Sequence, residues 1–171
     1  MRFISCLILL FTIYACIKQT TSHRQVIHVR KEWLDSIIKK SDTSWIKPYR
    51  NNEFVTVEYY VDKKDSIVTQ LMKDSAETIR QVSIAKYDQG RLFFAEYYAN
   101  GQLKANLPLD SAGKNNGAGF YYYENGQVKS EGKFIHGFFS GQWKNYDGKG
   151  KFLSIDEYDS NGQLLKPARN N

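Results

Sequence analysis

From Glu53 onward, apolar and polar positions alternate with a period of two. Val55, Val57, Tyr59 and Val61 interleave with Thr56, Glu58 and Tyr60, the pattern of a half-buried strand. Asp62-Lys63-Lys64-Asp65 reads as a polar turn. Ile67–Met72 and Thr78–Tyr87 read as the next two strands, with Lys73-Asp74-Ser75 between them. Upstream, Val29, Trp33, Leu34, Ile37 and Ile38 fall at helical spacing. They predict a short amphipathic helix over Val29–Lys40, closing on Lys39 and Lys40, where positive charge suits a helix C-terminus. Ser41-Asp42-Thr43 reads as a break. Trp45–Asn52 reads as irregular, because Pro48 opposes both a regular helix and a central strand.

Beyond residue 86 the alternation becomes a repeat. Asn100-Gly101-Gln102-Leu103, Asn125-Gly126-Gln127-Val128 and Asn161-Gly162-Gln163-Leu164 are near copies, each preceded by tyrosine: Tyr97-Tyr98, Tyr122-Tyr123 and Tyr158. Turn glycines recur at Gly90, Gly101, Gly113, Gly126, Gly137, Gly150 and Gly162, separated by 11, 12, 13, 11, 13 and 12 residues. Asn-Gly suits two consecutive positions with φ > 0, so two-residue type I′ hairpin turns are expected. About eight residues remain between turns, one strand's length. Val128, Ser130, Gly132 and Phe134 are expected on one face, with Lys129, Glu131 and Lys133 on the other. Leu103, Ala105 and Leu107 repeat that pattern. A hairpin with one apolar face must stack on its neighbours. The expected fold is therefore mainly β: an antiparallel meander of stacked hairpin repeats over 53–166, with a short N-terminal helix.

Composition sharpens this picture. Of 171 residues, 12 are Tyr and 10 Phe, which fit a pleated surface. The net charge is +6, but Lys and Arg mix with Asp and Glu along the chain. No basic stripe of the kind that grips nucleic acid is present, so no nucleic-acid partner is expected. At the N-terminus, Arg2 precedes an apolar run from Phe3 to Ala15. It is shorter than the roughly 20 residues of a bilayer span and fits an export signal over 1–15. The only cysteines are Cys6 and Cys16. A mature chain starting at Cys16 would hold no internal disulfide. Residues 16–52 then read as tether and short helix, and 167–171 as a disordered tail.

Ile13-Tyr14-Ala15-Cys16 resembles the lipobox of bacterial lipoproteins. The resemblance implies cleavage before Cys16, lipid attachment at its thiol and a membrane-anchored protein of the bacterial cell envelope. Ile17-Lys18-Gln19 lacks acidic residues, which favours the periplasmic side. Tyr122-Tyr123-Glu124-Asn125-Gly126-Gln127-Val128-Lys129-Ser130-Glu131-Gly132, followed by Gly137 and Gly141-Gln142-Trp143-Lys144-Asn145-Tyr146, resembles the MORN-repeat variant of YwqK-family antitoxin-like proteins. The match is good over 120–164 and weaker over 87–119. It implies a MORN-like open antiparallel sheet and carries no enzymatic activity. Joined to a lipobox, such repeats are similar to lipoproteins of Bacteroidetes-type bacteria.

Candidate chemistry is sparse. His23, His28 and His136 are the only histidines and form no metal-spaced cluster. No nucleophile elbow or phosphate-binding loop occurs. No catalytic residue, metal or cofactor is expected. The aromatics are the remaining candidates. Tyr98, Tyr121, Tyr123, Phe138, Trp143 and Tyr146 are expected to contribute a binding surface. Its occupant would be a protein partner or, alternatively, envelope glycan stacked on the rings. A scaffold role leads, a carbohydrate-binding module is the alternative, and an antitoxin-like partner of a toxin is a third reading.

Overall fold

The computed structural model describes residues 31–49 and 55–166. The expected export signal over 1–15, the expected lipid-attachment site Cys16 and the expected 167–171 tail lie outside the described residues. One α-helix, α1 (Lys31–Lys40), precedes eleven strands: β1 (Thr43–Pro48), β2 (Thr56–Asp62), β3 (Ile67–Lys73), β4 (Ile79–Lys86), β5 (Gly90–Tyr97), β6 (Leu103–Pro108), β7 (Gly117–Tyr122), β8 (Val128–Ile135), β9 (Phe138–Tyr146), β10 (Phe152–Tyr158) and β11 (Leu164–Lys166). The strands form one open antiparallel sheet in sequence order. The expected meander is therefore present. It begins earlier than expected, because Thr43–Pro48 pairs with β2 instead of belonging to an irregular tether. Pro48 is accommodated at the last pair of an edge strand, where proline is tolerated.

The Asn-Gly hairpins do not use the expected type I′ geometry. In Tyr98–Gln102, the Gly101 N–H donates to the Tyr98 carbonyl, and the Tyr98 N–H donates to the Gln102 carbonyl. This is a three-residue loop: a type I turn followed by an αL residue. Gly101 has φ 80° while Asn100 is not among the positive-φ residues. The same pair of bonds closes 74–78, 110–114, 123–127, 147–151 and 159–163. In 74–78 the αL position is held by Glu77, at φ 59°. A two-residue turn with both residues at positive φ does occur, at His136-Gly137.

The loop has a consequence for the faces. Three residues after its αL position, one residue is skipped in the pairing. Tyr97 pairs with Leu103 and Glu96 with Ala105, leaving Lys104 unpaired. Lys129, Leu153 and Leu165 are skipped in the same way. Such a bulge reverses side-chain alternation. Leu103 therefore faces away from Ala105, and Val128 away from Ser130, correcting the single-face expectation for both strands.

Two cores result, on opposite faces. Leu34 of α1 packs with Leu71, Val82, Ile84, Phe93, Ala95 and Tyr97. Trp33, Ile37 and Ile38 line the rest of that helix face, and Trp33 meets Phe93 edge-on at 6.2 Å. Burial of each such side chain contributes about 1.5–3 kcal/mol. The second core joins Ala105, Leu107, Phe134 and Trp143 to Phe94, Tyr121, Phe139 and Tyr158. Phe93 and Phe94, adjacent in β5, belong to different cores. β5 is thus where the packed face changes sides.

The second core depends on two strand glycines. A Cβ at Gly119 would lie 2.6 Å from the Phe134 ring, and one at Gly132 would overlap the Trp143 indole. The Trp143 indole lies over the Gly132 backbone, and an edge of the Phe134 ring abuts Gly119. Gly132→Ala is expected to destabilise the fold by about 1–3 kcal/mol through overpacking, read as a lowered Tm. An unchanged Tm would mean that the indole moves aside freely.

Candidate binding surface

The hairpins β3–β4, β5–β6, β7–β8 and β9–β10 turn at the same end of the sheet. Their loops begin at Asp74, Tyr98, Tyr123 and Asp147. Side chains join these loops in series. The Tyr98 hydroxyl donates to the Tyr122 carbonyl at 2.8 Å, and the Tyr123 hydroxyl to the Tyr146 carbonyl at 2.9 Å. Asn100 Nδ2 donates to the Glu124 carbonyl at 3.0 Å, and Asn125 Nδ2 to the Gly148 carbonyl at 2.6 Å. Each asparagine also accepts the N–H two residues on, from Gln102 and Gln127. The glutamines complete the motif. Gln102 Oε1 lies beside Gly126 and Gln127 Oε1 beside Gly150, where an added Cβ would sit 3.2 and 2.8 Å away. Every residue of the Tyr-x-Asn-Gly-Gln pattern thus has a contact with its own loop or the next.

The acceptor carbonyls share a position. β6 and β7 pair only through Ala105–Tyr121 and Asn106–Phe120, so Tyr122 lies just past the last pair. Tyr146 lies past Ser130–Asn145, and Tyr97 past Gln81–Glu96. At that third place the donor is Arg80 Nε, 3.2 Å from the Tyr97 carbonyl. The side chains take over where backbone pairing stops. The series ends at 147–151, where Asp147 and Lys149 occupy the Tyr and Asn positions.

At the opposite end, His136 Nδ1 lies 3.2 Å from Asp110 Oδ2, and the Gly137 N–H donates to the Asn115 carbonyl at 2.7 Å. The Lys114 N–H chiefly holds the Asp110 carboxyl below its ordinary range. Burial opposes this, while His136 and the Ala112 N–H add to it. At Asp74 burial acts upward, but the Thr78 N–H, Arg80 and the Ala76 N–H outweigh it and hold the carboxyl low. A third polar group is nearly buried on the helix side of the sheet. Glu58 accepts from Lys73 Nζ at 2.6 Å and from the Tyr60 hydroxyl at 2.9 Å. Burial and the Glu58 carboxylate raise the Tyr60 phenol to about 12.

The six aromatics expected to form one surface are dispersed. Tyr98 and Tyr123 are committed to the loop series. Tyr121 and Trp143 pack in the second core; Trp143 is 2% exposed and donates from Nε1 to the Lys133 carbonyl. Tyr146 donates to Glu131 Oε1 at 2.7 Å. Phe138 is 52% exposed. Most of the large apolar side chains that reach solvent lie toward the two ends of the strand order; Tyr87, 91% exposed in the β4–β5 loop, does not. Trp45 and Ile46 lie on β1, and Ile135, Phe138, Phe152, Leu153, Leu164 and Leu165 on β8–β11. Trp45 stacks on Tyr59 at 5.0 Å and 10°, with Lys47 Nζ 5.8 Å from the Tyr59 ring centre. Sequence reasoning missed this pair because Trp45 fell in the supposed tether. Its signal was the Trp-Ile-Lys stretch itself, apolar residues flanking a strand-length segment.

Among the described residues, no group of three or more His, Cys, Asp or Glu side chains is placed to hold a metal ion. No family model matches the chain, and no curated protein matches it.

Two outcomes check this geometry. Tyr123→Phe removes one hydroxyl and leaves the Tyr146 carbonyl without that donor; a loss of about 0.5–1.5 kcal/mol is expected in urea unfolding. No measurable loss would remove the hydroxyl from the structural account. The lowered Asp74 and Asp110 carboxyls bind protons more weakly folded than unfolded. Their contribution is present above about pH 4 and lost as the pH falls through their folded values. Thermal melts between pH 7 and pH 2 are expected to show that loss, and Asp74→Asn with Asp110→Asn to flatten it. An equally steep loss in the double variant would assign it to other groups.

Proposed function

We propose that this chain is a non-catalytic, lipid-anchored scaffold of the bacterial cell envelope, facing the periplasm. In this reading Cys16 carries the anchor, and the sheet presents a docking surface to a protein partner. We further infer that its hairpins are of the MORN-variant kind, in keeping with the stacked loops of roughly 24-residue spacing from Gly101 to Gly126 to Gly150.

One observation carries the scaffold reading. Tyr98, Asn100, Tyr123 and Asn125 are engaged in holding repeat to repeat, while most of the exposed large apolar side chains lie toward the strand-order ends. Apolar groups clustered in the open suit protein contact. Four of the perturbed titratable groups have structural partners: Asp74 and Asp110 cap their loops, and Tyr60 and Tyr146 bond to glutamates. That pattern supports a binding role over acid–base chemistry.

A second reading, envelope-glycan binding, is favoured by the Trp45–Tyr59 stack, since exposed aromatic faces suit sugar rings. Retention on isolated cell wall that is lost in Trp45→Ala would support it over the scaffold.

The anchor is tested by fractionation. The parent chain is expected in the membrane fraction and Cys16→Ala in the soluble one. Membrane retention of Cys16→Ala would remove the lipid anchor from the proposal.

A further inference from the structure

β1 is an edge strand with every residue exposed, and its hydrogen-bonding groups can be counted. The Tyr49 N–H donates to the Val55 carbonyl, in register with the pairs Lys47–Val57 and Trp45–Tyr59. Hydrogen-bonded pairs alternate along an antiparallel ladder. Lys47 and Trp45 therefore bond inward to β2. Ser44, Ile46 and Pro48 point their backbone groups outward. Pro48 has no N–H, so, counted among the described residues, the outer edge offers two donors, on Ser44 and Ile46. Asp42 adds none, because its N–H already bonds to the Val61 carbonyl at 2.8 Å.

We propose that this edge binds the same edge of a second copy of the chain, antiparallel about a two-fold axis through Trp45. The inventory selects the register. With Ser44 opposite Ile46 of the second copy, each free N–H meets a free carbonyl, giving four bonds across the axis. Shifting so that Ile46 faces its own equivalent sets Ser44 against Pro48, which has no donor to return. Shifting the other way sets Ile46 against Asp42, whose N–H is already used. In the selected register Pro48 falls opposite Asp42, and neither loses a bond. Lys47 falls opposite Thr43, so no like charges are opposed.

The side chains agree with that register. Trp45 meets its own equivalent at a non-hydrogen-bonded pair, where side chains approach most closely. The Trp45–Tyr59 stack then continues into a row of four rings across the axis. Ile46, 66% exposed, packs on the other face beside Ser44 of the second copy. Two eleven-stranded sheets become one continuous sheet, and an unprotected edge is removed. The inference concerns β1 alone and stands apart from the lipid anchor.

The test is sedimentation of the full chain. A concentration-dependent dimer is expected. Ile46→Pro removes an outward N–H that makes no bond to β2, so it is expected to keep the parent far-ultraviolet circular dichroism and to sediment as a monomer. If Ile46→Pro fails to fold, a second variant decides. Trp45→Cys, with Cys6 and Cys16 replaced by Ser, is expected to form an intermolecular disulfide on mild oxidation. A parent chain that stays monomeric at every soluble concentration would overturn the proposal. So would a dimer that persists in folded Ile46→Pro, or a Trp45→Cys chain that does not cross-link. A monomeric parent that instead captures an extended foreign peptide along β1 would assign the edge to another partner and overturn it equally.

Discussion

The structure depends on how the carbonyls of Tyr97, Tyr122 and Tyr146 are satisfied. Each lies one residue beyond the last backbone pair joining one hairpin to the next. Unpaired, such a carbonyl would begin to fray the sheet. Arg80, Tyr98 and Tyr123 each reach across from the preceding hairpin and donate to it. The joint between β6 and β7 shows the need most clearly, since their ladder holds two residue pairs and, toward the opposite end, the Leu109–Asn115 bridge. Long-range order in this sheet thus passes through side chains at its margin as well as through its backbone ladder.

That arrangement frees the packing to change sides. The first core uses α1 and the face of β3–β5 beneath it, and the second uses rings laid on the opposite face of β6–β10. Neither core extends under the whole sheet. The bulges after the three-residue hairpin loops make the change possible, because they turn the first residue of a strand away from the third. They also leave large apolar residues in the open near the strand-order ends. The proposed scaffold role would use this division: successive hairpins in the middle of the sheet are joined side chain to backbone, and the ends carry most of the exposed large apolar side chains.

Much of the fold was legible because its two strongest signals are local. Period-two alternation marked β2 to β4, and glycine at positive φ marked most loops. The loop type was not legible. Asn-Gly fits a type I′ turn and a type I turn with a following αL residue equally well, and the choice rests on which carbonyl receives the glycine N–H. Glu77 and Ser66 occupy positive φ without being glycine, so their loops carried no mark. β1 was hidden by Pro48, whose cost vanishes at an outward-facing edge position. For the binding surface, Tyr98 and Tyr123 stood out as recurrent residues. Their role required knowing which carbonyl, 24 and 23 residues downstream, lacks a backbone donor. Trp143 looked available for stacking because the neighbouring glycine that lets it lie flat, Gly132, is eleven residues away on another strand.

Native-state amide hydrogen exchange in Tyr98→Phe tests the central claim most directly. If the tyrosine hydroxyl couples successive hairpins, its loss speeds exchange at Gly126, in the next loop along the series. Gly113, at the opposite end of the sheet, keeps its parent rate. Unchanged exchange at Gly126, or an equal acceleration at Gly113, would contradict the account.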